Sequence, residues 1–151
     1  MFTREDLEIA RKKLYKNGLT LVIVKDSKVL FESKHHGVSG FMQALEKLGD
    51  KMEGASVADK VVGKAIALLC IYAKIEAVYA STLSIKAKQV FETHGIYFEC
   101  GKLVDKILNA SGTDICPFEK ATLEIDDHKE AYEKLKALLE TFQSRGMNQH
   151  E

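Results

Sequence analysis

Gly54-Ala-Ser-Val-Ala-Asp-Lys-Val-Val-Gly-Lys-Ala-Ile-Ala-Leu-Leu69 is the stretch on which the fold turns. Ser56 is a good N-cap residue and Asp59 follows three positions on, so the sequence predicts a capping-box-like helix start with the carboxylate at the positive end of the helix. From Val57 to Ala73 apolar residues run almost all the way round, interrupted mainly by Asp59, Lys60, Gly63 and Lys64. A helix apolar on nearly every side is covered on nearly every side, so this one is expected at the centre of the fold. Gly63 inside a helix costs about 1 kcal/mol relative to Ala, and its place one turn above Asp59 implies that something packs close to the backbone. The polar residues gather in the first two turns, and a pocket is expected to open there.

On the N-terminal side, Thr3 followed by Asp6 opens a helix carrying Leu7, Ala10, Leu14 and Tyr15 at helical spacing, stopped by Asn17-Gly18. Leu19 to Val24 and Lys28 to Ser33, separated by Asp26-Ser27, read as a hairpin whose first strand is apolar on both faces and therefore central. After His35-His36-Gly37 a short amphipathic helix with Phe41, Leu45 and Leu48 closes at Gly49. On the other side, Ile75 to Ala80 reads as a buried strand, Ser81 to Ser84 as the loop into a helix ending at His94-Gly95, and Ile96 to Glu99 as another strand. Val104 to Leu108 fits a short helix or an edge strand equally well. Asn109 to Asp114 is turn-rich, Pro117 suits a first helical position, and a last helix is expected over Lys129 to Ser144, with Ala131, Leu135, Leu138, Leu139 and Phe142 inward. The tail after Arg145 is expected to be disordered. Alternation of helices and strands beside an antiparallel hairpin implies right-handed crossovers and a three-layer α/β/α sandwich with a mixed sheet.

The 151 residues, 46% hydrophobic, contain no linker or repeat and suit a single domain. Acidic and basic residues balance at 22 each, which argues against nucleic acid as a partner. Cys70, Cys100 and Cys116 form no CxxC pair, the N-terminus lacks the apolar run of a signal peptide, and no stretch approaches the roughly 20 apolar residues that span a bilayer. A reduced, cytoplasmic protein without a membrane partner is expected.

The order of hairpin, helix, strand, helix and strand resembles the cytidine-deaminase-like fold. In zinc deaminases the first helix opens with H-x-E and the next strand–helix turn carries P-C-x-x-C, supplying one His and two Cys to zinc and a Glu that moves protons. Laid on that pattern, H-x-E falls on Val57-Ala58-Asp59 and P-C-x-x-C on Leu83-Ser84-Ile85-Lys86-Ala87, so no ligand set for zinc remains and only the acid survives, as Asp59. With Ser56 to Ala65, Asn109 and Cys116-Pro-Phe-Glu119 present together, the chain resembles an uncharacterised domain-of-unknown-function family that has this fold without the zinc motif. The likeness covers about residues 18 to 143. It implies a fold and no established activity, and calls for no metal or cofactor.

Several residues have both a chemical and a structural reading. Asp59 is a retained general acid or base, or a capping carboxylate. Lys60 and Lys64 clamp an anion near the helix start, or are solvated by snorkelling. Ser81 and Ser84, where a parallel strand feeds a helix, suit a phosphate or carboxylate, or simply cap. Cys116 before Pro117 is a thiol activated at a helix N-terminus with Glu119 as proton partner, or a buried or capping Cys. His35-His36 makes a solvated turn rather than a metal site. The leading expectation is a small, anionic or nucleotide-like ligand bound where the two crossover helices begin, in a pocket lined by Asp59, Lys60, Gly63, Lys64, Ser81, Ser84, Asn109, Cys116 and Glu119. The alternatives are a metal-independent enzyme using Cys116 or Asp59, and an interaction module with a vestigial pocket. A homodimer is expected in all three cases.

Overall fold

The computed structural model describes residues 4–35 and 37–146. Its elements run α1 (Arg4–Lys16), β1 (Leu21–Lys25), β2 (Lys28–Ser33), α2 (Gly37–Leu48), a 3-10 turn (Gly49–Met52), β3 (Ser56–Val62), α3 (Lys64–Tyr72), β4 (Ala77–Ser84), α4 (Ile85–His94), β5 (Tyr97–Val104), α5 (Pro117–Thr122) and α6 (His128–Ser144). The strands form one mixed sheet in the order β2-β1-β3-β4-β5. β1 is antiparallel to β2 and β3, whereas β3, β4 and β5 are parallel. Helix α1 covers one face; α2, α3 and α4 cover the other, with α6 packed on α3, which completes three layers. No described helix is long and apolar enough to cross a membrane.

Side-chain alternation explains why β1 is an inner strand, between β2 and β3. Leu21 and Ile23 enter the core beneath α2 and α3, while Val22 and Val24 meet the Leu7, Ala10 and Leu14 stripe of α1. Tyr15, assigned to that stripe from its spacing, is instead 54% exposed. The hairpin turn places Asp26 and Ser27 at φ 52° and 63°, the paired left-handed conformation of a two-residue turn. Buried Asp6 holds it to α1, its carboxylate accepting from the Asp26 and Ser27 amides at 3.1 and 2.9 Å.

The opening stretch is not one helix. Ser56 to Val62 is β3, paired on both sides, with Asp59 opposite Leu21 and Ala80. Ser56 is therefore no N-cap, and its buried hydroxyl has no hydrogen-bond partner among the described residues. Helix α3 begins only at Lys64, with Gly63 as its N-cap. A short strand buried on both faces and a buried helix are equally apolar, and here a single residue joins them, so periodicity ran the two together. The next unit shifts likewise: β4 continues through Ser81 and Thr82 to Ser84, where a loop was expected. Ser84 Oγ then caps α4 by accepting from the Ala87 amide at 3.0 Å, and Gly95 ends the helix at φ 70°.

Beyond β5, Val104 ends the strand, and Leu108 makes only an isolated bridge with Ile115. Pro117 takes the first turn of α5, and Asp127 caps α6 through the Glu130 amide at 2.8 Å. Ala131, Leu135 and Leu139 of α6 are buried, and Leu138 and Phe142 pack against the same core. Thr3, His36 and the tail from residue 147 onward lie outside the described residues.

Candidate ligand cleft at the start of α3

Three segments converge where β3 hands over to α3. Gly63 adopts φ −104° and ψ −172°, extended backbone open to any residue, so glycine is not needed there for its conformation. It is needed for space: a Cβ on Gly63 would overlap the carboxyl carbon and both oxygens of Glu119. That carboxylate comes from the first turn of α5 and accepts from the Lys64 amide at 2.9 Å and the Ala65 amide at 2.8 Å, one on each oxygen. Glu119 thus satisfies two of the free N–H groups at the positive end of α3. Burial raises the Glu119 pKa, and the two amides and the Lys64 charge act against it. The close packing inferred at Gly63 is present, but at a helix cap instead of inside a helix.

Beside this junction lies a cleft of about 300 Å³. Its walls are largely apolar: Val38 at the opening of α2, Val61 at the end of β3, Ile66 in α3, and Phe118 in α5. Ile107, Leu108 and Ala110 from the loop after β5 close another side, and Gly37, at φ 60°, brings the α2 backbone to the rim. Cys116 and Glu119 are the lining residues with polar or ionisable side-chain atoms. Cys116 is buried; its amide donates to Ile107 O at 3.0 Å and its carbonyl accepts from the Lys120 amide at 3.0 Å, fixing α5 against the loop.

Of the nine residues singled out from the sequence, Gly63, Cys116 and Glu119 border this cleft. The other six lie elsewhere. Lys64 sends its side chain away, its ammonium donating to Leu123 O and Asp126 Oδ1, each at 3.2 Å. Asp59 is buried inside the sheet, where its Oδ1 accepts from the Val61 amide at 3.4 Å, and burial pushes its pKa up to about 8. Its charge adds to the burial that raises the Cys70 thiol. Lys60 is exposed at the end of β3. Ser81 faces α1 on the opposite side of the sheet, bonded to Tyr15 Oη at 2.8 Å, and Tyr15 in turn shares a hydrogen bond of 2.6 Å with Tyr79. Ser84 is occupied as the α4 cap. Asn109 shapes its own loop, its Oδ1 accepting from the Thr113 amide at 3.1 Å.

Sequence reasoning missed Val38, Val61, Ile66 and Leu108. These are ordinary apolar residues from four separate segments, and the signal that could have found them was the parallel β3–α3 turn, where ligands of open α/β sheets bind.

The zinc pattern also moves once the elements are known. The first helix after the hairpin is α2, which opens at Gly37-Val38-Ser39, and the next strand–helix turn is Val62-Gly63-Lys64-Ala65-Ile66-Ala67. The two turns that bound the cleft are thus the two that carry the motifs in zinc deaminases. Neither has the residues: His35 and His36 are followed two positions later by Gly37 and Val38, and the β3–α3 turn has no Cys. No group of three or more His, Cys, Asp or Glu among the described residues is arranged to hold a metal ion. The donor set does not fit zinc, and the space beside Gly63 is filled by the Glu119 carboxylate.

The family profile described as TM1506, domain of unknown function (DUF1893), matches residues 9–139. The crystal structure of a DUF1893 family protein (TM1506) from Thermotoga maritima is 31% identical, covers 89% of this chain and 90% of its own, and superposes with a TM-score of 0.82. A dCMP deaminase from the cyanophage S-TIM5 matches 68% of this chain and 99% of its own at 12% identity and a TM-score of 0.49. RibD from Acinetobacter baumannii matches 65% of this chain and 33% of its own at 22% identity and a TM-score of 0.46. None of the curated proteins matches the sequence.

Proposed function

Since the chain belongs to the DUF1893 family, which supplies no reaction to inherit, we propose from the cleft itself that this protein binds a small, flat, uncharged ligand that donates hydrogen bonds to Glu119, a nucleobase-like heterocycle. The observation that carries the reading is a buried carboxylate, fixed by two backbone amides, at the wall of an otherwise apolar cleft. A carboxylate offers about four lone-pair sites and the amides use two, so the remainder suit N–H or amino donors on a ring. Apolar walls with a few fixed polar groups are the usual composition of small-molecule sites, and about 300 Å³ is at the small end of their range.

Anionic ligands fit this cleft poorly. The amides that would hold an anion at the start of α3 already hold Glu119, and no lysine lines the cleft. A like charge beside Glu119 would be repelled.

The test is a panel of neutral nucleobases and nucleosides titrated against the protein by amide NMR. Saturable shifts at Gly63, Ile66 and Phe118, abolished by Ala110→Trp at the exposed rim, are expected. Absence of any saturable shift, or binding indifferent to the blocked rim, would overturn the reading. Cys116 on the same wall favours a second reading, in which the thiol acts on the bound ligand without metal. A thiol alkylated by iodoacetamide no faster than free cysteine would remove it.

A further inference from the structure

Lys64 is an unusual residue to bury, because an ammonium out of water is costly unless its charge is compensated. Its side chain is 10% exposed, yet the carboxylate paired with it, Asp126, is 96% exposed. An ion pair with one partner wholly in solvent contributes little and is readily exchanged. The ammonium has three donors, of which Leu123 O and Asp126 take two. Compensation of the buried charge is therefore incomplete, and it opens on a groove.

That groove, about 550 Å³, runs between α3 and α4. Lys86 from the first turn of α4 lines it with Lys64, and the Lys86 charge is felt at Glu119. Gln89 and Thr93 supply further donors along α4, and His94, whose Nδ1 donates to Val90 O at 3.0 Å, borders the same groove. Two lysines, a threonine and a glutamine lining one depression suit a tetrahedral oxyanion, for which lysine is a common point-charge ligand. The volume exceeds what a lone ion needs. We infer that the α3–α4 groove binds the phosphate group of a small phosphomonoester, Lys64 and Lys86 holding the phosphate and Asp126 acting as the placeholder it displaces. The site is distinct from the apolar cleft and does not depend on the reading given to it.

Ribose 5-phosphate and inorganic phosphate are the probes, titrated into the whole chain and followed by amide NMR. Saturable shifts confined to Lys64, Lys86, Gln89 and Thr93 are expected, with the ester binding more tightly than the free ion. Lys86→Ala, at an exposed position, should weaken the ester by about two- to fivefold, and Asp126→Asn should strengthen it by about as much, since an exposed competing carboxylate has been removed. The sign of the second effect is decisive, because a lysine that merely ties the loop after α5 to α3 predicts no gain from Asp126→Asn. No saturable shift, shifts unaffected by Lys86→Ala, or unchanged affinity in Asp126→Asn would each overturn the assignment. Inorganic phosphate binding as tightly as the ester would overturn the monoester.

Discussion

Replacing Asp59 by Asn should remove a pH dependence of stability that the wild-type protein carries. Asp59 ionises at about 8 in the folded chain against 3.8 as an ordinary side chain, because burial in β3 disfavours the carboxylate. Between those values the native state keeps a proton that the unfolded state has lost, so stability falls as pH rises, by about 1.4 kcal/mol per pH unit. The contribution is complete below about pH 4, declines steadily, and levels off above about pH 8. From pH 5 to pH 7 the loss from this one group is on the order of 3 kcal/mol, a large share of the 5–15 kcal/mol typical of a domain. Glu119, also raised by burial, acts in the same direction; Glu8 and Asp114 are lowered but lie at the surface, where solvent screens them. Asn has the same shape, keeps an oxygen to accept from the Val61 amide, and has no proton to lose. Urea unfolding at each pH from 5 to 8 should show wild type and Asp59→Asn diverging by about 1.4 kcal/mol per unit, the variant gaining relative stability as pH rises. Parallel curves would refute the reasoning, because they would mean that Asp59 is already charged in the folded protein.

Three further perturbations have expected outcomes. Gly63→Ala should expel the Glu119 carboxylate and cost about 2–4 kcal/mol by denaturant titration, and the same change made in Glu119→Ala should cost much less, a coupling that a double-mutant cycle measures. Asp6→Ala should release the hairpin turn, losing about 1–3 kcal/mol and speeding hydrogen exchange of the Asp26 and Ser27 amides in particular. Ser84→Ala removes the α4 cap and should cost about 1 kcal/mol by thermal or chemical unfolding, whereas Ser84→Thr should retain most of it.

What could be read from the sequence was whatever local spacing encodes. The Leu7, Ala10 and Leu14 stripe, the Asp26-Ser27 turn and the inward positions of α6 each have a period or a turn signature, and each is found in place. The β3–α3 unit has neither, because Val57 to Asp59, Val62 and Ala65 to Cys70 are all buried and the glycine between strand and helix occupies extended backbone, not a left-handed turn. Cys116-Pro-Phe-Glu119 announced a helix start, but not that its carboxylate would cap another helix 54 and 55 residues earlier in the chain. The partners of Lys64, Leu123 and Asp126, are likewise distant in sequence. Local patterns set the order of the layers; the cleft and the groove arose from contacts between segments whose spacing carries no signal.

The bond between Glu119 and the start of α3 also constrains how the sequence can drift. Because a side chain at position 63 and a carboxylate at position 119 claim the same volume, position 63 is not free to change while the acid stays. A relative that acquires alanine or serine at 63 is expected to have surrendered the acid at 119, and one that keeps the acid to have kept the glycine. The two positions form a pair that descends together.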